Sequence, residues 1–535
     1  MSDARPHTQP PPRPRPFELV LLVFGLALIT RYAWVMDDAF IYARYADNAV
    51  LMKLGLVYNA GEYVEGFSSP LWMVWILLWR ALGLSYWAMF MASAYLFFVL
   101  MWWVLVRLDL ELSPTRERIN VPLAFLALSY PVTSWFSSGM ETSLIMACAA
   151  GYALYLVDPR SRLAGILVAI APLVRPELAA PFVIAVAYAW SRTRRVPTLV
   201  LALAGGLGLA WLGFRVYYYA DLLPNTFYLK HDSDRAQGLH YLVNAFAPYY
   251  LELILVGVAL LSWWGVRFGG PAERAKLGPR MMMWVTGLPV VFYVVHIGGD
   301  AIHFRYLASP FVLALSSSSG LVEAWWSARE RKLPFARWAT AFAGLVAAIS
   351  FSLQPPQREV HAIVAAGDPH KVHEISDAGR HRRRDYLREA ATVDPHREAK
   401  LAVGRDPGSF EYVDFEISGL CAQAYVKWDH RVTHTYGLTD PFLARLEAPA
   451  MPGDRPGHKL GVTMRAVDVM RITKLGEGPR RGMMRDAIEG GYGADWVRDN
   501  IEIIEVIERK AFNEHELGEN LRLAFRFPGP IVADR

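Results

Sequence analysis

Two adjacent carboxylates, Asp37 and Asp38, stand where the first long apolar run ends, at the head of the stretch 36–72, MDDAFIYARYADNAVLMKLGLVYNAGEYVEGFSSPLW. Acids at the edge of a membrane span are costly to hold and mark candidate functional sites. One acid there reads as a span terminus; a pair followed by an aromatic, semi-apolar segment reads as more. Polar islands between later apolar runs add partners of both signs. Arg44, Glu62 and Glu65 lie in the first stretch, SSGMET (137–142) carries Glu141, and RPE (175–177) carries Arg175 and Glu177. ADLLPNTFYLKHDSD (220–234) carries Asn225, Lys230 and His231, and GGDAIHFR (298–305) carries Asp300, His303 and Arg305. Acids and cations gathered at one membrane face suit group transfer. A carboxylate takes a proton from an attacking hydroxyl, and cations stabilise a departing phosphate, the more so in a dry site.

Each of these residues also has a plainer structural use. Arg175 and Glu177 flank Pro176 and can form a local ion pair worth about 0 to 1 kcal/mol if exposed. Glu141 can cap the helix that follows, since a carboxylate at a helix N-terminus is favourable. Arg305 opens an apolar run and can reach lipid headgroups with no further role. Asp37 and Asp38 project about 100° apart on a helix, so they cannot both aim at one proton, and the residue types do not rank them. His296, Asp300 and His303 are suitable metal-ligand types, but Gly298 and Gly299 break the helix that would align them. No residue is assigned as a metal ligand, and a divalent cation bridging phosphate and acid stays open.

The elements that must position these groups are membrane helices. The 535 residues are 54% hydrophobic and 20% charged, which describes a polytopic α-helical membrane protein with room for one soluble domain. Eighteen Trp and twenty-five Tyr suit interfacial belts. The net charge of +5 is modest and sits in short loops, so it reports topology and gives no sign of nucleic-acid binding. Cys148 falls in an apolar run and Cys421 in the polar tail, which argues against a disulfide. Residues 1–16 read as a Pro/Arg-rich cytoplasmic tail and 17–353 as the membrane domain. Expected spans are 17–35, 86–106, 121–136, 142–157, 163–174, 178–190, 198–219, 247–264, 281–297, 306–326 and 338–353, about eleven crossings. Basic clusters at 107–118, 160–162, 192–195, 267–280 and 329–337 then all face the cytoplasm, and every island faces the exterior. The segment 70–83 would break that alternation as a span, and its Trp72, Trp75 and Trp79 beside Arg80 suit a helix lying at the outer face. Phe40, Tyr42, Ala43, Ala46, Val50 and Leu51 share one face of a second interfacial helix, opposite Arg44, Asp47 and Asn48. From 354 to 535 the composition turns polar and reads as an exterior α+β domain, with alternating runs at 410–417, 424–428 and 520–527 and a helix at 494–504.

DDAFIYARYADNA followed by GLVYNAGEYVEGFSSPLW resembles the first exterior loop of membrane glycosyltransferases of the GT-C class, in particular the AftB-like arabinofuranosyltransferase family. The islands match in order: a G-x-E-T turn, an R-P-E turn, an LLPNT-x-x-x-K loop and a GGD turn, covering roughly 30–310. THTYGLTDPFLARL and RPGHK resemble the family's C-terminal region. The resemblance implies a GT-C fold with horizontal helices in the first exterior loop. It also implies an inverting transfer of D-arabinofuranose from a polyprenyl-phosphate donor to a cell-envelope glycan acceptor, at the periplasmic face of a bacterial inner membrane. Asp38 would be the general base and Asp37 a supporting acid. Arg305, Lys230, His231, Arg44 and Arg175 would meet the donor phosphate, and Glu65, Glu141, Glu177, Asn225, Asp300 and His303 the sugars. Mannose or aminoarabinose donors fit related layouts. A lipid-linked sugar transporter or flippase would instead show charges at mid-membrane depth and matching broken helices in two halves.

Overall fold

The computed structural model of the chain describes residues 14–113, 120–229, 235–246, 251–268, 271–300, 304–321, 414–418, 421, 425, 430–434, 438–445 and 494–526. Among these the chain is mostly helical. The helices are α1 (Pro16–Arg31), α2 (Ala39–Val50), α3 (Pro70–Ala81), α4 (Tyr86–Leu112), α5 (Val121–Leu128), α6 (Tyr130–Phe136), α7 (Thr142–Val157) and α8 (Arg162–Val174). They continue as α9 (Ala179–Thr193), α10 (Thr198–Tyr219), α11 (Asn225–Leu229), α12 (Arg235–Phe246), α13 (Leu251–Phe268), α14 (Pro271–Ala275), α15 (Leu277–His296) and α16 (Ala308–Ser316). The tail contributes strands β1 (Asp414–Ser418) and β2 (His430–His434), paired in parallel, and helices α17 (Ala494–Ala511) and α18 (Leu517–Ala524).

Helix α7 is the centre of the bundle: every side chain from Thr142 to Leu156 is buried, with α4, α8, α15 and α16 against it. Between lipid-embedded helices there is little hydrophobic drive, so close approach depends on small residues. Ala147, Ala149, Ala150, Gly151 and Ala153 supply it, and a Cβ on Gly151 would fall 2.6 Å from Leu167 Cβ of α8. Three described helices are long and apolar enough to cross a membrane: α4, α10 and α15. Their surroundings differ, since α4 is largely buried and α10 is almost wholly exposed apolar surface, so α10 lines the bundle's perimeter.

The two ends of the bundle are both polar but differ in kind. At one end the start of α1, the end of α4, the start of α15 and the end of α16 meet. Arg15 pairs with Asp109 at 2.9 Å, Ser319 donates to Asp109 at 2.9 Å, and Arg280 donates to the Ser319 carbonyl at 2.7 Å. The islands gather at the other end.

Several expected elements take a different form. The span 121–136 is two helices, because Ser129 is extended and Pro131 has no N–H to continue α5 into α6. In the described part of the span 306–326, α16 ends at Ser316 and a serine run turns toward Gly320 at φ 72°. The run 520–527 lies not in a strand but in α18 (Leu517–Ala524). Asn520, Leu523 and Ala524 are the buried residues, a spacing of three and four, and the alternation of Leu521, Leu523 and Phe525 is incidental. Helix α2 does not show Arg44, Asp47 and Asn48 to solvent: all are buried, and Asp47 is held by Arg80 of α3, by the Tyr86 hydroxyl and by Tyr425 of the tail. The span 338–353, the basic cluster 329–337 and most of 354–535 lie outside the described residues.

Gly139 forms the tight turn between α6 and α7 at φ 77°, where a Cβ would come 3.0 Å from the Phe90 ring and 3.1 Å from Ala39 Cβ. Gly139→Ala is expected to destabilise by about 1–3 kcal/mol, whereas Gly205→Ala in α10, with nothing within 4 Å, should not. Thermal midpoints of the detergent-solubilised proteins compare the two. Equal midpoints would mean that the Gly139 turn relaxes without cost.

Candidate active site

The islands, far apart in sequence, converge through their own hydrogen bonds. The Met36 amide donates to the Ser138 carbonyl at 2.8 Å and Trp72 Nε1 to the Gly139 carbonyl at 3.2 Å, which joins the first loop to SSGMET. Arg175 donates to Ser68 Oγ at 2.8 Å, and the Asn225 amide to the Glu65 carbonyl at 2.9 Å, bringing in RPE and LLPNT. Arg305 joins GGDAIHFR to the rest.

Asp38 holds the N-cap position of α2 and Glu141 that of α7, and neither side chain makes a capping hydrogen bond. Both carboxylates are left to other partners, near positive helix ends. Between them lies Arg305. Its Nη1 is 2.9 Å from Asp38 Oδ2 and 3.7 Å from Asp300 Oδ2, and its Nη2 is 3.6 Å from Glu141 Oε1. Arg175 reaches the same Glu141 oxygen at 3.1 Å and Glu177 Oε1 at 2.8 Å, and lies over the Tyr306 ring at 4.8 Å. Burial works against the charge on both arginines. The surrounding carboxylates overcome it, Asp300 first for Arg305 and Glu177 first for Arg175, and hold both pKa values above the ordinary range. Glu141 Oε2 is buried with no hydrogen-bond partner among the described residues. Tyr42 is within range of Glu141, Arg175 and Arg305, and burial, then Glu141, raise its pKa, so it stays a hydroxyl donor. This arrangement can bind an anion through two guanidiniums with a carboxylate alongside to take a proton.

Asp37 is turned elsewhere. Its Oδ2 accepts the Cys421 amide N–H at 2.8 Å. Burial, then Asp37 and Asp38, push the Cys421 thiol pKa well up, so it remains a neutral thiol. Arg44 donates to the Tyr58 carbonyl at 2.9 Å and lies over that ring at 4.9 Å.

Two further expected residues belong to a neighbouring network. Glu65 pairs with Arg215 through both carboxylate oxygens. Asn225 donates to the Leu438 and Asp440 carbonyls, each at 3.1 Å, and accepts from Arg445 at 3.1 Å. Arg445 pairs with Asp221 at 2.9 Å and stacks on Tyr228 at 3.8 Å, and Lys510 approaches Asp221 at 3.2 Å. Lys230, His231 and His303 lie outside the described residues. Among the described residues no group of three or more His, Cys, Asp or Glu is arranged to hold a metal ion, and His296 is exposed at the end of α15.

Sequence reading missed Tyr42, Ser68, Arg215, Asp221, Tyr306, Cys421, Arg445 and Lys510 as members of these networks. Arg215 carried a signal, a charge inside an apolar run. Asp221 and Arg445 stood within quoted motifs, while Cys421 and Lys510 had no local pattern to mark them.

Over 339 residues the chain is 28% identical to a terminal beta-(1->2)-arabinofuranosyltransferase from Mycobacterium tuberculosis, covering 56% of this chain and 54% of the relative. Over 337 residues it is 28% identical to a protein of the same name from Corynebacterium glutamicum, covering 53% and 47%. The chain thus spans about half the length of the curated relatives it matches. No family model matches it, and no solved structure does. Both matches are to terminal beta-(1->2)-arabinofuranosyltransferases, so the chain is similar to arabinofuranose-transferring enzymes over about half its length.

Burial raises the Glu65 carboxyl pKa from 4.5, and Arg215 only partly offsets it. A raised carboxyl contributes stability below its unfolded value, near pH 4.5, and loses that contribution as pH rises through the folded value. Glu65→Gln is therefore expected to flatten the fall in thermal midpoint between pH 4.5 and neutrality. Parallel pH profiles for variant and wild type would show that Glu65 is not the group responsible.

Proposed function

We propose that this chain, as an AftB-like protein, is an inverting membrane glycosyltransferase. It moves D-arabinofuranose from a polyprenyl-phosphate donor to a cell-envelope glycan acceptor, at the periplasmic face of a bacterial inner membrane. About eleven crossings then set the islands and the tail, an α+β domain, on that face. The observation that carries the reading is the contact of Asp38 with Arg305, at 2.9 Å, inside the cluster where the islands meet.

Asp38 takes the proton of the acceptor hydroxyl, whose oxygen bonds to the anomeric carbon as the bond from that carbon to the phosphate oxygen breaks. Attack opposite the leaving group inverts the centre. Arg305 and Arg175 receive the charge that grows on the departing polyprenyl phosphate, in a setting with little water to screen it. Lys230, His231 and Arg44 are further candidates for that phosphate. Glu141 and Asp300 orient the guanidiniums, Glu177 holds Arg175, and Tyr42 offers a hydroxyl to sugar or phosphate oxygen. Asp37, Glu65 and Asn225 border the space for acceptor sugars, and His303 is a further candidate for them.

Asp38→Asn keeps the shape and removes the base. Transfer from synthetic polyprenyl-phosphoryl-arabinofuranose should fall about 100-fold or more with the thermal midpoint kept, and a variant as active as wild type would exclude Asp38 as the base. Arg305→Lys keeps a charge but loses the planar fork, so the KM for the donor should rise. A folded wild type that uses only another polyprenyl-linked sugar would overturn the arabinose assignment alone.

A further inference from the structure

Helix α18 has three sides of different chemistry. Asn520, Leu523 and Ala524 are buried, and Asn520 Nδ2 donates to the Tyr217 carbonyl at 2.7 Å, so this side packs on the last turn of α10. Leu517, Leu521 and Phe525, at successive intervals of four, are 60%, 48% and 65% exposed. At 100° per residue this apolar stripe is offset by about 100° from the packed side, so it points beside α10 and not away from it. The remaining sector carries Arg522 and Arg526, both exposed.

What lies beside α10 is fixed by α10 itself. Its exposed flank is apolar, including Leu199, Leu201, Leu207, Leu209 and Leu212, a surface suited to acyl chains in a membrane protein. α18 meets α10 at Tyr217, and Asn513 just before it donates to the Tyr218 carbonyl, at the aromatic level at which a span leaves the hydrocarbon. Its apolar stripe is therefore continuous with a lipid-facing surface at headgroup depth, and its arginines stand where anionic headgroups lie.

We propose that α18 is an interfacial anchor: Leu517, Leu521 and Phe525 insert into the acyl-chain boundary of the leaflet on the island side, and Arg522 and Arg526 meet its phosphates. The tail is then held to the bilayer as well as to the loops. A reversible lipid contact of this size also keeps the tail from swinging off the site while leaving α17 and α18 their protein contacts.

The chain has two cysteines, so Cys148→Ala with Cys421→Ala gives a background for one label. An environment-sensitive fluorophore at Leu521→Cys or Phe525→Cys is compared with one at Glu516→Cys, in nanodiscs of phosphatidylcholine with a minor fraction of phosphatidylglycerol. Blue-shifted emission quenched by doxyl-labelled phospholipid at Leu521 and Phe525, and neither at Glu516, is the expected result. Aqueous emission at all three positions would overturn the proposal. So would a blue shift without lipid quenching, which means a protein segment covers the stripe, or a shift lost on dilution into empty discs, which means a second copy does. A photo-crosslinking residue at Leu521 in the otherwise native chain gives the same decision without touching either cysteine: a lipid adduct supports the anchor and a peptide adduct overturns it.

Discussion

Arg305 is held almost out of water between Asp38, Glu141 and Asp300, and a charge can stay buried only where its partners are fixed around it. Those partners come from separate segments: the start of the first loop just before α2, the N-terminus of α7, and the glycine turn before Arg305 itself. Each of them shares in compensating one buried charge, so the loops are coupled through the cluster and not only through their neighbours in sequence. The cluster depends in turn on α7. Because α7 is buried on every side, Glu141 at its N-terminus cannot shift without repacking α4, α8 and α16. Packing of small residues in the membrane thus decides where a carboxylate sits at its surface.

The tail obeys the same logic from outside. Asn59 exchanges hydrogen bonds with Val432, at 2.9 and 3.0 Å, and Tyr425 donates to Asp47 at 2.7 Å. Arg445 and Lys510 converge on Asp221, where burial pulls the Lys510 pKa down and Asp221 opposes the shift. Parts of the chain hundreds of residues downstream therefore complete the surroundings of α2.

How much of this was legible follows from what each signal measures. Hydropathy located the bundle well, because an apolar run of the right length has few alternatives in a membrane. It failed where a proline or a serine run interrupted an otherwise apolar stretch, as at Pro131 and at 316–319, since hydropathy does not register backbone donors. The islands were legible as polar breaks between apolar runs, and Asp37, Asp38, Glu141, Arg175, Asp300 and Arg305 stood in them. Their convergence was not, because nothing in a single chain records which loops touch. The amphipathic reading of α2 misjudged its environment for a related reason. Periodicity separates two faces but cannot say that the polar one is covered, and here Arg80, Tyr86 and Tyr425 cover it.

The charges in the cluster constrain how a phosphate could enter it. Four carboxylates, Asp38, Glu141, Glu177 and Asp300, surround two guanidiniums, so neither arginine is idle. An incoming phosphate meets guanidiniums that carboxylates already engage, and so competes with them. The carboxylate partners of Arg305 are not equally free to leave: Glu141 is 0% exposed and Asp300 7%, whereas Asp38 is 25% exposed. Asp37 Oδ2 accepts the Cys421 amide. On the reading proposed, the donor phosphate would displace Asp38 from Arg305, and the carboxylate freed in that exchange would be the one that needs a proton. A base paired with arginine is a weak base, because the pair favours its ionised form. The exchange would then strengthen Asp38 only after the donor has arrived, which orders donor binding before acceptor activation by electrostatics alone.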